Sequence, residues 1–105
     1  MSDQDNKDAI AAADAAADAL KKIGAAVTEM KNARSKVDIN VAYDKIGPLL
    51  QTVETKAFDA YKAKIRANSG AADDASGRAG DDLIKAQNLQ VAAKKLLDEK
   101  APTLP

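Results

Sequence analysis

The stretch from Asp38 to Asn68, DINVAYDKIGPLLQTVETKAFDAYKAKIRAN, constrains the fold more than any other part of the chain. At about 100° per residue, Ile39, Ala42, Ile46, Leu49, Val53, Ala57 and Ala60 fall on one stripe of a helix. Tyr43, Leu50, Phe58, Tyr61 and Ile65 extend that stripe to about half the circumference, against roughly 100° for the apolar stripe of an ordinary surface helix. A helix with so wide a face meets two neighbours at once, which places it in the middle of a bundle. Gly47-Pro48 interrupts the stretch once. Proline is tolerated in the first turn of a helix, where its missing N–H costs nothing, and bends or breaks a helix interior. Because the stripe stays in phase across it, two collinear or kinked pieces are expected, 38–46 and 48–67.

The apolar residues available to such a bundle are small. The chain has 105 residues, enough for one domain, and is 46% hydrophobic, but 24 of those 48 residues are alanine. Burying a large aliphatic side chain contributes about 1.5–3 kcal/mol, and ordering each residue costs on the order of 1–2 kcal/mol. The expected core is therefore thin, and stability is expected to be modest or supported by a partner. Alanine has the highest helix propensity. With three Pro, five Gly and few β-branched residues, the composition predicts an all-α fold.

Sixteen basic and sixteen acidic residues cancel, leaving no net field to draw the chain to nucleic acid or to an anionic membrane. There is no cysteine, hence no disulfide framework, thiol nucleophile or thiolate metal site. There is no histidine, which removes the usual general base and the commonest neutral metal ligand. The N-terminal MSDQDNKDAIAAADAAADAL lacks the basic start and unbroken apolar run of a signal peptide, and no segment approaches the ~18 apolar residues of a membrane span. The expected location is the cytoplasm, without integral membrane association. Export by a signal-independent secretion system would leave no mark in these residues.

Around the central stretch, a first helix is expected over 3–34, capped by Ser2 or Asp3, with Ile10, Ala13, Ala17, Leu20, Ile23, Val27 and Met30 inward. Gly24 is a possible break in it, because glycine costs about 1 kcal/mol relative to alanine in a helix interior. In a hairpin turning near residue 36, Gly24 lies level with Gly47-Pro48, so both helices could bend there. Asp38 is the expected cap of the second helix. Residues 69–80, SGAADDASGRAG, hold three glycines and no large apolar residue, which predicts a mobile loop. Asp81 then caps a third helix over 81–100, with Leu83, Ala86, Leu89, Ala93, Leu96 and Leu97 inward, and Ala101-Pro102 ends it before a tail at 101–105. The expected architecture is an up-down antiparallel bundle of three long helices in a single domain, or four if Pro48 forms a corner.

Candidate sites are few. Asp73, Asp74, Asp81 and Asp82 do not match the ligand positions of a calcium-binding EF-hand loop in either register, since the third and fifth positions are Ala75 and Gly77, or Ser76 and Arg78. Gly77-Arg78-Ala79-Gly80 before a helix start suggests a phosphate cradle, but Asp81 and Asp82 already occupy the end that an anion needs. The C-terminal halves of the second and third helices are basic (Lys56, Lys62, Lys64 and Arg66; Lys94, Lys95 and Lys100), which complements the helix dipoles without any function. Pro102-Thr103-Leu104-Pro105 fits a PxxP spacing, a very common pattern. No motif assembles carboxylates, Lys, Arg and Tyr into a catalytic group, and no catalytic residue, cofactor or metal site is assigned. The Trp-x-Gly turn of hundred-residue secreted helical hairpins is absent, as are the haem ligands of cytochrome bundles.

Aromatic residues are enriched at binding hot spots. The chain has three: Tyr43, Phe58 and Tyr61. Tyr43 and Tyr61 are expected in the core, whereas Phe58 lies at the edge of the stripe. An exposed Phe58 and Ile65 would be informative. The expected function is non-enzymatic: self-association as a homodimer, or docking of another protein, through Leu50, Phe58, Tyr61 and Ile65. An alternative is a peripheral binder of a lipid or other apolar surface, using the alanine-rich first helix. A third is a small all-α enzyme acting on an anionic substrate through an inward-facing Arg34, Arg66 or Arg78.

Overall fold

The computed structural model describes residues 2–105 and is 92% helical, with no strand among the described residues. Four α-helices follow one another: α1 (Ser2–Asn32), α2 (Lys36–Asp44), α3 (Ile46–Ala67) and α4 (Gly70–Lys100), with a closing 3-10 turn over Ala101–Thr103. The bundle is a rod of 56 × 16 × 15 Å. Helices α1, α3 and α4 pack mutually along its length, while the short α2 continues α3 toward the other end and also lies on α1.

The break between α2 and α3 is a single residue. Lys45 stays in the right-handed helical region at φ −70° and ψ −24°, and its N–H donates to the carbonyl of Ala42 at 3.2 Å. Pro48 therefore sits in the first turn of α3, where no N–H is required. The middle helix is kinked, and there is no sharp corner. Helix α1 runs through Gly24 without interruption. A single glycine lowers helix propensity but keeps its backbone N–H, whereas proline removes a donor.

The expected loop at 69–80 is helix. α4 begins at Gly70, and its cap is Ser69 rather than Asp81: the Ser69 hydroxyl accepts the N–H of Ala72 at 3.3 Å and donates to Oδ1 of Asn6 in α1. The turn before it is closed by Asn68 in the left-handed region, φ 48°, whose N–H donates to the carbonyl of Lys64. Ala72, Ala75 and Ala79 are fully buried at spacings of three and four, so a helical face exists there without any large side chain. Ser35, not Asp38, caps α2, and its hydroxyl accepts the N–H of Asp38 at 3.1 Å. The cap of α1 involves the chain start and lies outside the described residues.

The core divides into two halves of different character. Toward the α2 end the large buried side chains are Ile23, Met30, Ile39, Ile46 and Val53, with Leu20, Tyr43, Leu49, Leu83, Leu89, Leu96, Leu97 and Leu104 packed against the core. Toward the α3–α4 turn, the buried residues are Ala9, Ala12, Ala13, Ala16 and Ala19 of α1, Ala60, Ala63 and Ala67 of α3, and Ala72, Ala75 and Ala79 of α4. All are alanine. The three backbones approach closely there because no larger side chain separates them. Helix α1 is rotated slightly from the expected stripe, so that Ile10 is partly exposed and Ala17 is exposed, while Ala12, Ala16 and Ala19 turn inward.

Candidate interaction surface

In the alanine half of α3 the usual distribution of side chains is inverted. The inward positions Ala60, Ala63 and Ala67 are buried, and Ala57 packs partly against the core. The large apolar residues of the same turns face solvent: Phe58 is 59% exposed, Tyr61 49% and Ile65 60%. These three are spaced i, i+3 and i+7, which puts them on one side of the helix, about 120° from the centre of its buried stripe. A soluble helix that needed only to close its own bundle would bury these three and expose the alanines.

Tyr61 is therefore not a core residue. One step beyond Ala60, it stands at the margin of the α3–α4 contact. Tyr43 does pack against the core, partly buried. Leu50, expected on the interaction face, is 7% exposed and belongs to the core. It lies on the same side as Ala57 and Lys64, the side of α3 that faces α4.

Two residues not singled out in the sequence join the strip. Ile84 is 57% exposed and Val91 71%. They follow Asp73 by eleven and eighteen residues, which returns each to within about 20° of Asp73 on α4. Asp73 faces α3, because its carboxylate accepts from Lys64 Nζ at 2.9 Å. Ile84 and Val91 thus rise beside the seam that Tyr61 borders from the other helix. Their seven-residue spacing puts them on one side of α4, away from the inward Leu83, Ala86 and Leu89. With the register set by Lys64 and Asp73, Ile84 and Val91 lie about 8 and 18 Å farther along this seam than Phe58, at 1.5 Å per residue.

Cations border it. Lys62 Nζ stands 4.8 Å from the Phe58 ring centroid and Lys64 Nζ 5.9 Å from that of Tyr61, positions that hold the rings by cation–π attraction. The hydrogen bond and charge of Asp73 raise Lys64 above its ordinary value of 10.5. The basic end of α3 is matched by nearby carboxylates: Arg66 Nε lies 3.1 Å from Asp5 at the start of α1, while Lys56 and Lys62 share Asp59 of α3 itself at 3.8 and 3.5 Å. These cations are neutralised in place.

The other candidates are not drawn together. Arg34, Arg66 and Arg78 are all exposed, and Arg78 lies 3.7 Å from Asp14 of α1. Asp73, Asp74, Asp81 and Asp82 are spread over three turns of α4, and among the described residues no group of three or more potential ligands is assembled. No buried side chain among the described residues is polar or charged. The alanine face of α1, which motivated the apolar-surface alternative, is consumed by the core. None of the described helices is long and apolar enough to cross a membrane. Comparison with protein-family models, with curated proteins and with solved structures finds no match to this chain.

Proposed function

We propose that the protein is a non-enzymatic interaction module that docks another protein chain on the strip formed by Phe58, Tyr61, Ile65, Ile84 and Val91. The observation that carries this reading is the inversion on α3, with alanine inside and Phe58, Tyr61 and Ile65 outside. Large apolar side chains are left in solvent where the core beneath is weakest, so a covering partner supplies the burial that this half lacks. Exposed aromatic residues bordered by cations are the kind of anchor that dominates protein interfaces.

The reading is tested by replacing Phe58 with a photoreactive phenylalanine analogue in living cells that produce the protein, with the same analogue at Lys21 on the outer side of α1 as control. The expected result is a discrete covalent adduct from position 58 and none from position 21. The absence of any adduct from position 58, and from position 65 tested in the same way, overturns it.

A further inference from the structure

Two glycines of α4 serve no purpose in the folded helix. Gly77 and Gly80 lie within its first half, neither has a positive φ, and a Cβ at either meets nothing within 4 Å. Alanine would fit both places and favour the helix about fivefold at each. Residues that break a local rule without a structural return are expected at functional or strained sites. From these glycines, and from how little holds the segment down, we infer that residues 70–80 are a conditional helix. They melt to a loop and re-form while the remaining bundle stays folded.

The docked form is held weakly. The buried side chains of the segment are Ala72, Ala75 and Ala79. Burying three methyl groups favours docking roughly fourfold each, and the two interior glycines take back most of that gain. The rest of α4 is held differently, since Leu83, Leu89, Leu96 and Leu97 pack against the core. Two ion pairs cross from the segment to other helices, Asp73 to Lys64 at 2.9 Å and Arg78 to Asp14 at 3.7 Å. These four side chains are between 40% and 68% exposed, and pairs so open contribute little. Once undocked, a helix shorter than ~12–15 residues is marginal in water, so undocking and melting go together.

The geometry of the ends permits the change. Before the segment, the Ser69 hydroxyl donates to Asn6 of α1 and the N–H of Asn68 to the carbonyl of Lys64. After it, Leu83 begins the leucine row. The helix spans about 18 Å between residues 69 and 81, whereas the same length of extended chain reaches roughly 40 Å. Melting therefore moves neither anchor. It uncovers the alanine rows of α1 and α3, which stay packed on each other, and it requires no partner on the α3–α4 strip.

Trypsin reads the open form. A helical bond is cut only after the stretch around it unfolds, and with fast reclosing the rate follows the open population. Arg78 is the one basic residue of the segment. Cleavage after Arg78 is expected under conditions where the parent keeps its full helical circular dichroism. Gly77→Ala combined with Gly80→Ala is expected to slow that cut about 25-fold, each rate being divided by that of a peptide of residues 70–86 carrying the same changes. Gly24→Ala adds the same helix propensity to α1 at an equally open position, and is expected to leave the cut unchanged. In hydrogen exchange, amides 72–79 are expected to exchange at least about tenfold faster than those of 12–16 and 60–67. A cut after Arg78 that appears only when the whole bundle unfolds, a Gly24→Ala variant that slows it as much as the double variant, or amides 72–79 exchanging no faster than 12–16 each overturns the inference, because the segment then opens only with its neighbours.

Discussion

Lys100, at the last turn of α4, caps helix α1: its Nζ donates to the carbonyl of Met30 at 3.0 Å and also to that of Lys31. Those carbonyls belong to the end of α1, where four acceptors have no partner within the helix and where the macrodipole favours a cation. The contact joins residues 70 apart in sequence, and the chain end reinforces it. The N–H of Lys36 donates to the carbonyl of Pro105 at 2.9 Å, and Leu104 packs against the core. The tail beyond Lys100 is thus part of the fold.

Lys100→Met keeps the aliphatic stem and removes the donor. Charged hydrogen bonds contribute about 1.5–3 kcal/mol, offset here by partial solvent access and by the N–H of Ala33, which still donates to the Met30 carbonyl at 3.2 Å. The expected loss is about 1–2 kcal/mol, seen as a fall in melting temperature of roughly 5–10 °C for a domain of this size. A Lys95→Met control, five residues earlier on an exposed position, is expected to leave the melt unchanged.

The helical identity of residues 70–80 is tested by Gly77→Ala. In a mobile loop, alanine in place of glycine changes little or strains a positive φ. In α4, Gly77 has no positive φ, and a Cβ there meets nothing within 4 Å. Lower unfolded-state entropy and higher helix propensity then stabilise the variant by about 0.5–1 kcal/mol. The matching loss is Ser69→Ala, which removes both the α4 cap and the bond to Asn6 and costs about 1 kcal/mol or more. Opposite shifts of these two melts are the signature of a helix beginning at Gly70.

The Lys64–Asp73 pair predicts a small alkaline dependence. Asp73 raises Lys64 above 10.5 in the folded chain, so the pair stabilises fully below the unfolded value and its contribution is lost as pH rises through the folded one. The pair is exposed, and exposed pairs contribute little. The sensitive readout is therefore the difference in melting temperature between parent and Lys64→Met, measured on either side of pH 10.5. The parent is expected to be the more stable below that pH, with the difference shrinking toward zero above it.

The legible parts of the fold were those written in large side chains. Ile23, Met30, Ile39, Ile46 and Val53 declare their helices and inward faces by spacing alone, and Pro48 declares the kink. The 70–80 segment was not legible as helix because its inward residues are alanines, which look the same on either side of a helix, and because three glycines resemble a linker. What makes it helical is nonlocal. Ala72, Ala75 and Ala79 match the alanine faces of α1 and α3, and that match is visible only when the three are brought together. The candidate surface was legible in part. Phe58 and Ile65 stood at the edge of the stripe, but Tyr61 and Leu50 exchanged places: the α3–α4 contact runs along the Leu50, Ala57 and Lys64 side, leaving Tyr61 half outside.

The two halves of the core predict two levels of local stability. In the α2 half, Ile23→Ala removes a fully buried side chain and leaves a cavity, a change that costs about 2–5 kcal/mol. In the alanine half there is no large side chain to delete, and the informative change is the reverse. Ala16 is fully buried between backbones, and Ala16→Leu forces them apart at a cost of about 1–3 kcal/mol. Since little apolar area holds that half closed, its amides are expected to exchange through partial opening. In native-state hydrogen exchange, residues 12–16, 60–67 and 72–79 should show protection well below that of 23–30 and 50–53, whose exchange requires global unfolding. The comparison is internal to each helix, because α1 and α3 each contribute one protected and one weakly protected segment. Uniform protection along α1 would mean that close alanine packing holds its half as firmly as the large side chains hold theirs.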